Sequence, residues 1–170
     1  MSDLTYAEVG ATRHQPLPTG YQHLRHRTRI GTGDGAYARA AAALLAFDVH
    51  RAAGIRIGAD TDRAAPGVRL TVGFGPFTVP CEVVYTVDRP DRVGFAYGTR
   101  PGHQEQGEEA FMVEREADGG VWFAVTSFSR PARWPARLGG PLVRLFQYLF
   151  VVVLGRGAKR VASSSRTVGW

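Results

Sequence analysis

The chain has 170 residues, of which 44% are hydrophobic and 21% charged, a composition that excludes intrinsic disorder and fits one globular domain. A single cysteine, Cys81, excludes an internal disulfide framework. The net charge of +6 is uneven: residues 1–120 hold all 15 acids and 13 arginines, whereas residues 121–170 hold eight basic residues and no acid.

Residues 5–20 read as irregular, with Pro16, Pro18 and Gly20 as breakers. A strand is expected at Tyr21–Ile30, because Leu24, His26, Thr28 and Ile30 alternate with Arg25, Arg27 and Arg29. Gly31-Thr32-Gly33-Asp34 then turns the chain into a helix, with Asp34 as N-cap. Apolar spacing carries that helix from Gly35 to Ala53, where Gly54 suits the left-handed C-terminal cap. The helical Gly31-x-Gly33-x-Gly35 opening lacks the spacing and the parallel βαβ setting of a dinucleotide site.

Beyond Gly54 the apolar period drops to two. Alternating runs cover Val68–Phe74, Val79–Val87, Val93–Thr99, Glu109–Val113 and Val121–Val125. Gly75-Pro76, Asp88-Arg89-Pro90-Asp91, Pro101-Gly102 and Asp118-Gly119-Gly120 separate them as turns. Short strands joined by tight turns form an antiparallel meander. After Pro131, Pro135 and Pro141, the residues Leu142, Leu145, Phe146, Leu149, Phe150 and Val153 line up on one helix face, and Gly155 and Gly157 weaken the helix beyond.

The expectation is an α+β domain in which a curved antiparallel sheet of about six strands is gripped by a long C-terminal helix. That is the helix-grip, START or Bet v 1-like, architecture. One domain spans residues 1–170, with its core over about 6–160 and a loose tail from Ser163. Met1–Gly20 has no charged segment followed by an apolar core, so no signal peptide is expected. The ten-residue apolar stretch Leu145–Leu154 is about half of what a bilayer crossing needs. A cytoplasmic protein is the expectation.

The densest polar cluster is Tyr97–Glu109. Glu109 shares a face with Phe111 and Val113 and should point inward, whereas Glu108 should point out. His103 exchanges protons near neutrality, so an inward Glu109 beside it makes an acid–base pair or a ligand anchor. The structural alternative is that Glu109 satisfies an arginine at the sheet end while His103 caps the turn. Arg130 is the natural partner for Glu109 or for an anionic ligand. Ser127 and Ser129 lack a nucleophile-elbow setting. No histidine or cysteine spacing matches a metal site, and His50 suits a structural contact at a helix C-terminus. Tyr97, Thr99, His103, Glu109, Phe111, Ser129 and Arg130 are the candidate ligand-binding residues, with neither a metal nor a cofactor expected.

Several motifs carry a resemblance: Val9-Gly10-Ala11-Thr12, Pro18-x-Gly20-Tyr21, His50-x-x-Ala53-Gly54, Phe95-x-Tyr97-Gly98-Thr99-x-Pro101-Gly102-His103, Gly107-Glu108-Glu109-x-Phe111 and Ser129-Arg130-Pro131. Over roughly Tyr6 to Arg160 the chain resembles the uncharacterised family of the domain of unknown function DUF1990. Arg100 stands where that pattern has an apolar residue, and Phe47 where tryptophan is common. The resemblance implies a single domain and brings no reaction.

The leading functional expectation is a non-enzymatic domain for a small hydrophobic or amphipathic ligand, held between sheet and helix among Phe95, Tyr97, Phe111 and Phe123. The alternatives are an enzyme using His103 and Glu109, and a peripheral membrane protein that lays Leu142–Val153 on lipid with Arg144, Arg156, Lys159 and Arg160 at the headgroups; burial of this helix face in the core is the preferred reading over the membrane one. Nucleic acid is not an expected partner, because the basic residues are not interleaved with an aromatic platform.

Overall fold

A seven-stranded, fully antiparallel sheet wraps around the helices in the computed structural model, which describes residues 2–132 and 140–164. The strands are β1 (Gln22–Thr32), β2 (Arg56–Ala59), β3 (Arg69–Phe74), β4 (Phe77–Arg89), β5 (Arg92–Thr99), β6 (Glu105–Arg115) and β7 (Gly120–Pro131). Their order is β1-β7-β6-β5-β4-β3-β2, a meander closed by the first strand pairing with the last. The helices are α1 (Asp34–Leu45), α2 (Asp48–Ala52) and α3 (Gly140–Ser163). Pro135 and the tail from residue 165 lie outside the described residues.

The helix-grip expectation holds, with corrections of detail. One strand more than expected is present, because β2 is only four residues long and carries no clear alternation. The single helix expected over 35–53 is two. Phe47 takes a left-handed backbone, φ 62°, and breaks it. A bulky residue accepts that conformation only where packing compels it; the Phe47 ring is fully buried, edge-on to Phe95 at 5.5 Å. Asp34 is the first residue of α1, not its cap, and its carboxylate pairs with Arg115.

Strand β4 contains a bulge between Val83 and Tyr85. An extra residue in one strand shifts the following side chains to the other face. Cys81 and Val83 therefore join the main core, whereas Tyr85 packs on the opposite face with Ala96, Ala110 and Met112. The expected single face running from Val79 to Val87 is thus split.

The inner face carries the main core. Phe95, Phe111, Phe123, Leu44 and Leu154 are fully buried there. Only the C-terminal half of α3 belongs to it, through Val151, Leu154, Ala158 and Ala162. Gly155 and Gly157, expected to weaken the helix, are where it comes closest to its neighbours. A Cβ on Gly157 would lie 2.6 Å from the Val49 carbonyl oxygen and 2.9 Å from the Ala53 amide nitrogen. The face expected to be apolar core, Leu142–Phe150, instead runs along the rim of the sheet, with Leu142 73% exposed and Leu145 54% exposed.

Candidate functional site

The site is built on three adjacent strands. Tyr97 on β5 faces Glu109 on β6, which faces Ser127 on β7. Neighbouring antiparallel positions share a face, so these three side chains line one inner row. Thr99 and Ser129, each two residues further along its strand, extend the row toward the sheet end. The overhanging half of α3 roofs this end and leaves a cavity of about 390 Å³. Val72, Phe74, Phe77, Val79, Phe146 and Phe150 form its apolar wall, and Tyr97, Glu105, Glu109, Ser127, Ser129 and Gln147 its polar end. Phe146 holds the wall together, with ring centroids 4.8 Å from Phe74 and 5.6 Å from Phe77.

Two carboxylates meet at the polar end. Glu105 accepts two hydrogen bonds from the Gln147 amide, at 2.8 and 3.0 Å, and Gln147 also donates to Ser129 at 3.1 Å. Glu109 Oε1 is sealed from solvent, and no described residue donates to it. Burial, assisted by the charge of Glu105, pushes the Glu109 carboxyl up to about 8. Burial also raises Glu105, against the opposing hydrogen bonds from Gln147 and Ser129. A carboxyl with no donors is disfavoured as an anion, because nothing replaces its water.

His103 lines the same cavity, but its Nδ1 accepts from the Glu105 backbone N–H at 2.9 Å. Burial holds its imidazole neutral, with a pKa down to about 4. The turn-capping alternative therefore describes His103, and its second nitrogen carries the proton. An acid–base partnership with Glu109 has no direct hydrogen bond behind it.

Arg130 is not the partner of Glu109. It points to the other face, exposed, where it donates to Gln106 at 3.2 Å and stacks 4.7 Å from the centre of the Tyr21 ring. Adjacent residues on a strand face opposite sides, so Ser129 reaches the cavity and Arg130 does not. Phe111, with Phe95 and Phe123, is fully buried in the core and does not line the cavity, unlike Tyr97. Thr99 does line it, and its hydroxyl also accepts from the Gly107 N–H at 3.1 Å.

Glu108 points outward, but not into water. The N-terminal segment folds over it, and it is 2% exposed. Its carboxylate accepts from Tyr6 at 2.7 Å, from the Gly10 N–H at 2.7 Å and from the Thr12 N–H at 3.1 Å, and also from the Thr12 hydroxyl. That hydroxyl in turn accepts from Tyr85 at 2.7 Å. Gly98 makes room for this strap, since a Cβ there would lie 2.2 Å from the Tyr6 hydroxyl. The Val9–Thr12 and Gly107–Glu109 motifs are two halves of one clasp.

His50 makes no carbonyl contact. It is fully buried against Phe95, Tyr97 and Phe111, and neither ring nitrogen has a partner among the described residues. Burial lowers its pKa to about 3. Among the described residues no three His, Cys, Asp or Glu side chains gather in a way that could hold a metal ion.

A family model described as "Domain of unknown function (DUF1990)" matches residues 5–157. The chain belongs to this family. A UPF0548 protein of Deinococcus radiodurans is 38% identical over 153 residues, covering 82% of this chain and 77% of that protein. A UPF0548 protein of Arabidopsis thaliana is 40% identical over 78 residues, 42% of this chain and 38% of that protein. Among solved structures, a hypothetical protein of Helicobacter pylori superposes with a TM-score of 0.70 at 11% identity, covering 95% of this chain and 97% of that one. Norcoclaurine synthase from Thalictrum flavum, in complex with dopamine and hydroxybenzaldehyde, gives 0.61 at 10% identity, with 98% and 99% covered. At these identities the likeness shows the fold, which is Bet v 1-like, and not a shared reaction.

Proposed function

We propose that this DUF1990 domain binds a small hydrophobic or amphipathic molecule in the cavity between the sheet and α3. The observation that carries the reading is the cavity itself. About 390 Å³ lies within the usual size of small-molecule sites, and aromatic walls with a few convergent polar groups are their usual lining. Native mass spectrometry of the purified protein tests this, with added decanol as probe. The expected result is a one-to-one adduct that disappears in Val79→Trp, whose larger side chain fills the apolar wall. An adduct that persists unchanged in that variant refutes the assignment.

A second reading, docking on a membrane surface, has its own support. Leu142, Leu145 and Leu149 are 73%, 54% and 47% exposed, on a stretch of α3 that also carries the exposed Arg144. Helix α3 is long and apolar enough to cross a membrane by length and composition, but its C-terminal half is packed into the domain core. An interfacial position is the arrangement that leaves this packing intact. Flotation with vesicles containing anionic lipid should be lost in Leu145→Gln/Leu149→Gln, and equal flotation of the variant refutes the reading.

A further inference from the structure

We propose that the cavity selects ligands that carry a protonated amine on an apolar body, with Glu109 as the counter-ion and Glu105 beside it. This rests on the ligand-binding reading and adds the charge of the ligand.

The geometry supplies the argument. A buried polar atom without a partner is costly, and in a cavity wall it marks the place where a ligand group belongs. Glu109 Oε1 is such an atom, and Glu109 is one of the residues that line the polar end of the cavity. Ionised, it can only accept, so its natural complement is a donor. The charged side chains around it decide which donor. Glu105 approaches from the start of the same strand and is held by Gln147 of α3; Tyr97 and Cys81 face it from β5 and β4, Ser127 from β7, and His103 from the turn.

None of these groups is a cation. Among the described residues, the nearby guanidinium groups are committed elsewhere: Arg100 to Asp3 at 2.9 and 3.0 Å, and Arg130 to Gln106 on the opposite face. A carboxylate ligand entering this end would meet two carboxyl groups and no cation among the described residues. An ammonium group would meet two acceptors in a poorly hydrated setting, where a charge-assisted hydrogen bond is strong. The aromatic rings of Phe74, Phe146 and Phe150 would take the apolar body.

Proton linkage gives the inference a signature. In the free protein the Glu109 carboxyl, held up to about 8, is protonated at pH 7. An ammonium group favours its ionised form, so binding at pH 7 expels a proton from Glu109. Affinity for the amine therefore rises as pH increases toward 8. Affinity for a carboxylate ligand would fall over the same range, and that for a neutral alcohol would stay level or fall with it.

The experiment is isothermal titration of the full chain with decylamine, decanol and decanoate, each below its critical micelle concentration, at pH 7 in buffers of different ionisation enthalpy. The expected result is binding of decylamine on the order of tenfold to a hundredfold tighter than decanol, with close to one proton released. Decanoate should bind most weakly. Glu109→Gln should bring decylamine and decanol together, and thermal unfolding of the variant reports whether it is folded. If that variant does not fold, the proton count on the native chain decides alone. Equal or tighter binding of decanol or decanoate, or decylamine binding without proton release, overturns the amine assignment and leaves the binding function standing. Failure of all three probes to bind overturns both.

Discussion

Glutamine at position 109 isolates the cost of burying a carboxyl that has no donor. In the folded chain this group titrates at about 8 rather than its ordinary 4.5. Between those values the folded state holds a proton that the unfolded chain has released, so native stability falls as pH rises through the window. Each pH unit inside it corresponds to ~1.4 kcal/mol, which makes the Glu109 contribution between pH 5 and pH 8 a loss of roughly 3–4 kcal/mol. Glu109→Gln keeps the shape and removes the titration. Its stability relative to the native chain should therefore climb across that range. For a chain of this size the gap in Tm should widen by roughly 10 °C. Parallel thermal-unfolding scans from pH 5 to pH 8 at constant ionic strength measure it. Native and variant Tm curves that run parallel would refute the reasoning, for they would mean that the carboxyl is ionised and well partnered in the fold.

Three further predictions address the rest of the molecule. Glu108→Ala strips the acceptor from Tyr6, Gly10 and Thr12, and should cost at least about 3 kcal/mol in urea unfolding, since several buried donors lose their partner together; it should also free the N-terminal segment to early proteolysis. Gly157→Ala should destabilise by about 1–3 kcal/mol despite better helix propensity, because the new Cβ meets backbone atoms of Val49 and Ala53, whereas Gly155→Ala, whose nearest neighbour is a Thr28 methyl at 3.0 Å, should cost less in the same assay. His50, held neutral with a pKa of about 3, contributes stability that is complete above pH 6.5 and lost as pH falls; the loss reaches roughly 3 kcal/mol by pH 4, and His50→Phe should shift the acid-unfolding midpoint to lower pH by removing it.

Much of this was legible along the chain. Period-two runs between turn residues were enough for the meander, and the Tyr97–Glu109 block located the polar end of the cavity. Alternation from Phe111 and Val113 placed Glu109 on the inner face, because strand geometry repeats every two residues whatever the surroundings. The same rule placed Glu108 on the outer face. It could not show that residues 6–12 cross that face and turn Glu108 into a buried anchor, since that contact joins positions about 96 residues apart. The resemblance motifs at Val9–Thr12 and Gly107–Glu109 were the available signal, but nothing in either segment says that they touch.

Other features were decided only by tertiary packing. The bulge at Val83–Tyr85 turned Tyr85 over without any local glycine or proline to announce it. Phe47 broke the first helix because its ring was needed in the core. Arg130 looked like the partner of Glu109 on charge alone, yet its place in the strand sends it to the opposite face. Helical spacing predicts α3 as a helix but does not tell which half of it enters the core. Its apolar face overhangs a cavity for half its length, and close packing falls instead to the glycine-containing half. Sequence by itself determined the elements, their order and the inward carboxyl, because these follow from local period and turn chemistry. Which apolar surfaces meet, which stay open and which charges find partners depend on distances between remote segments, and only the folded chain sets those.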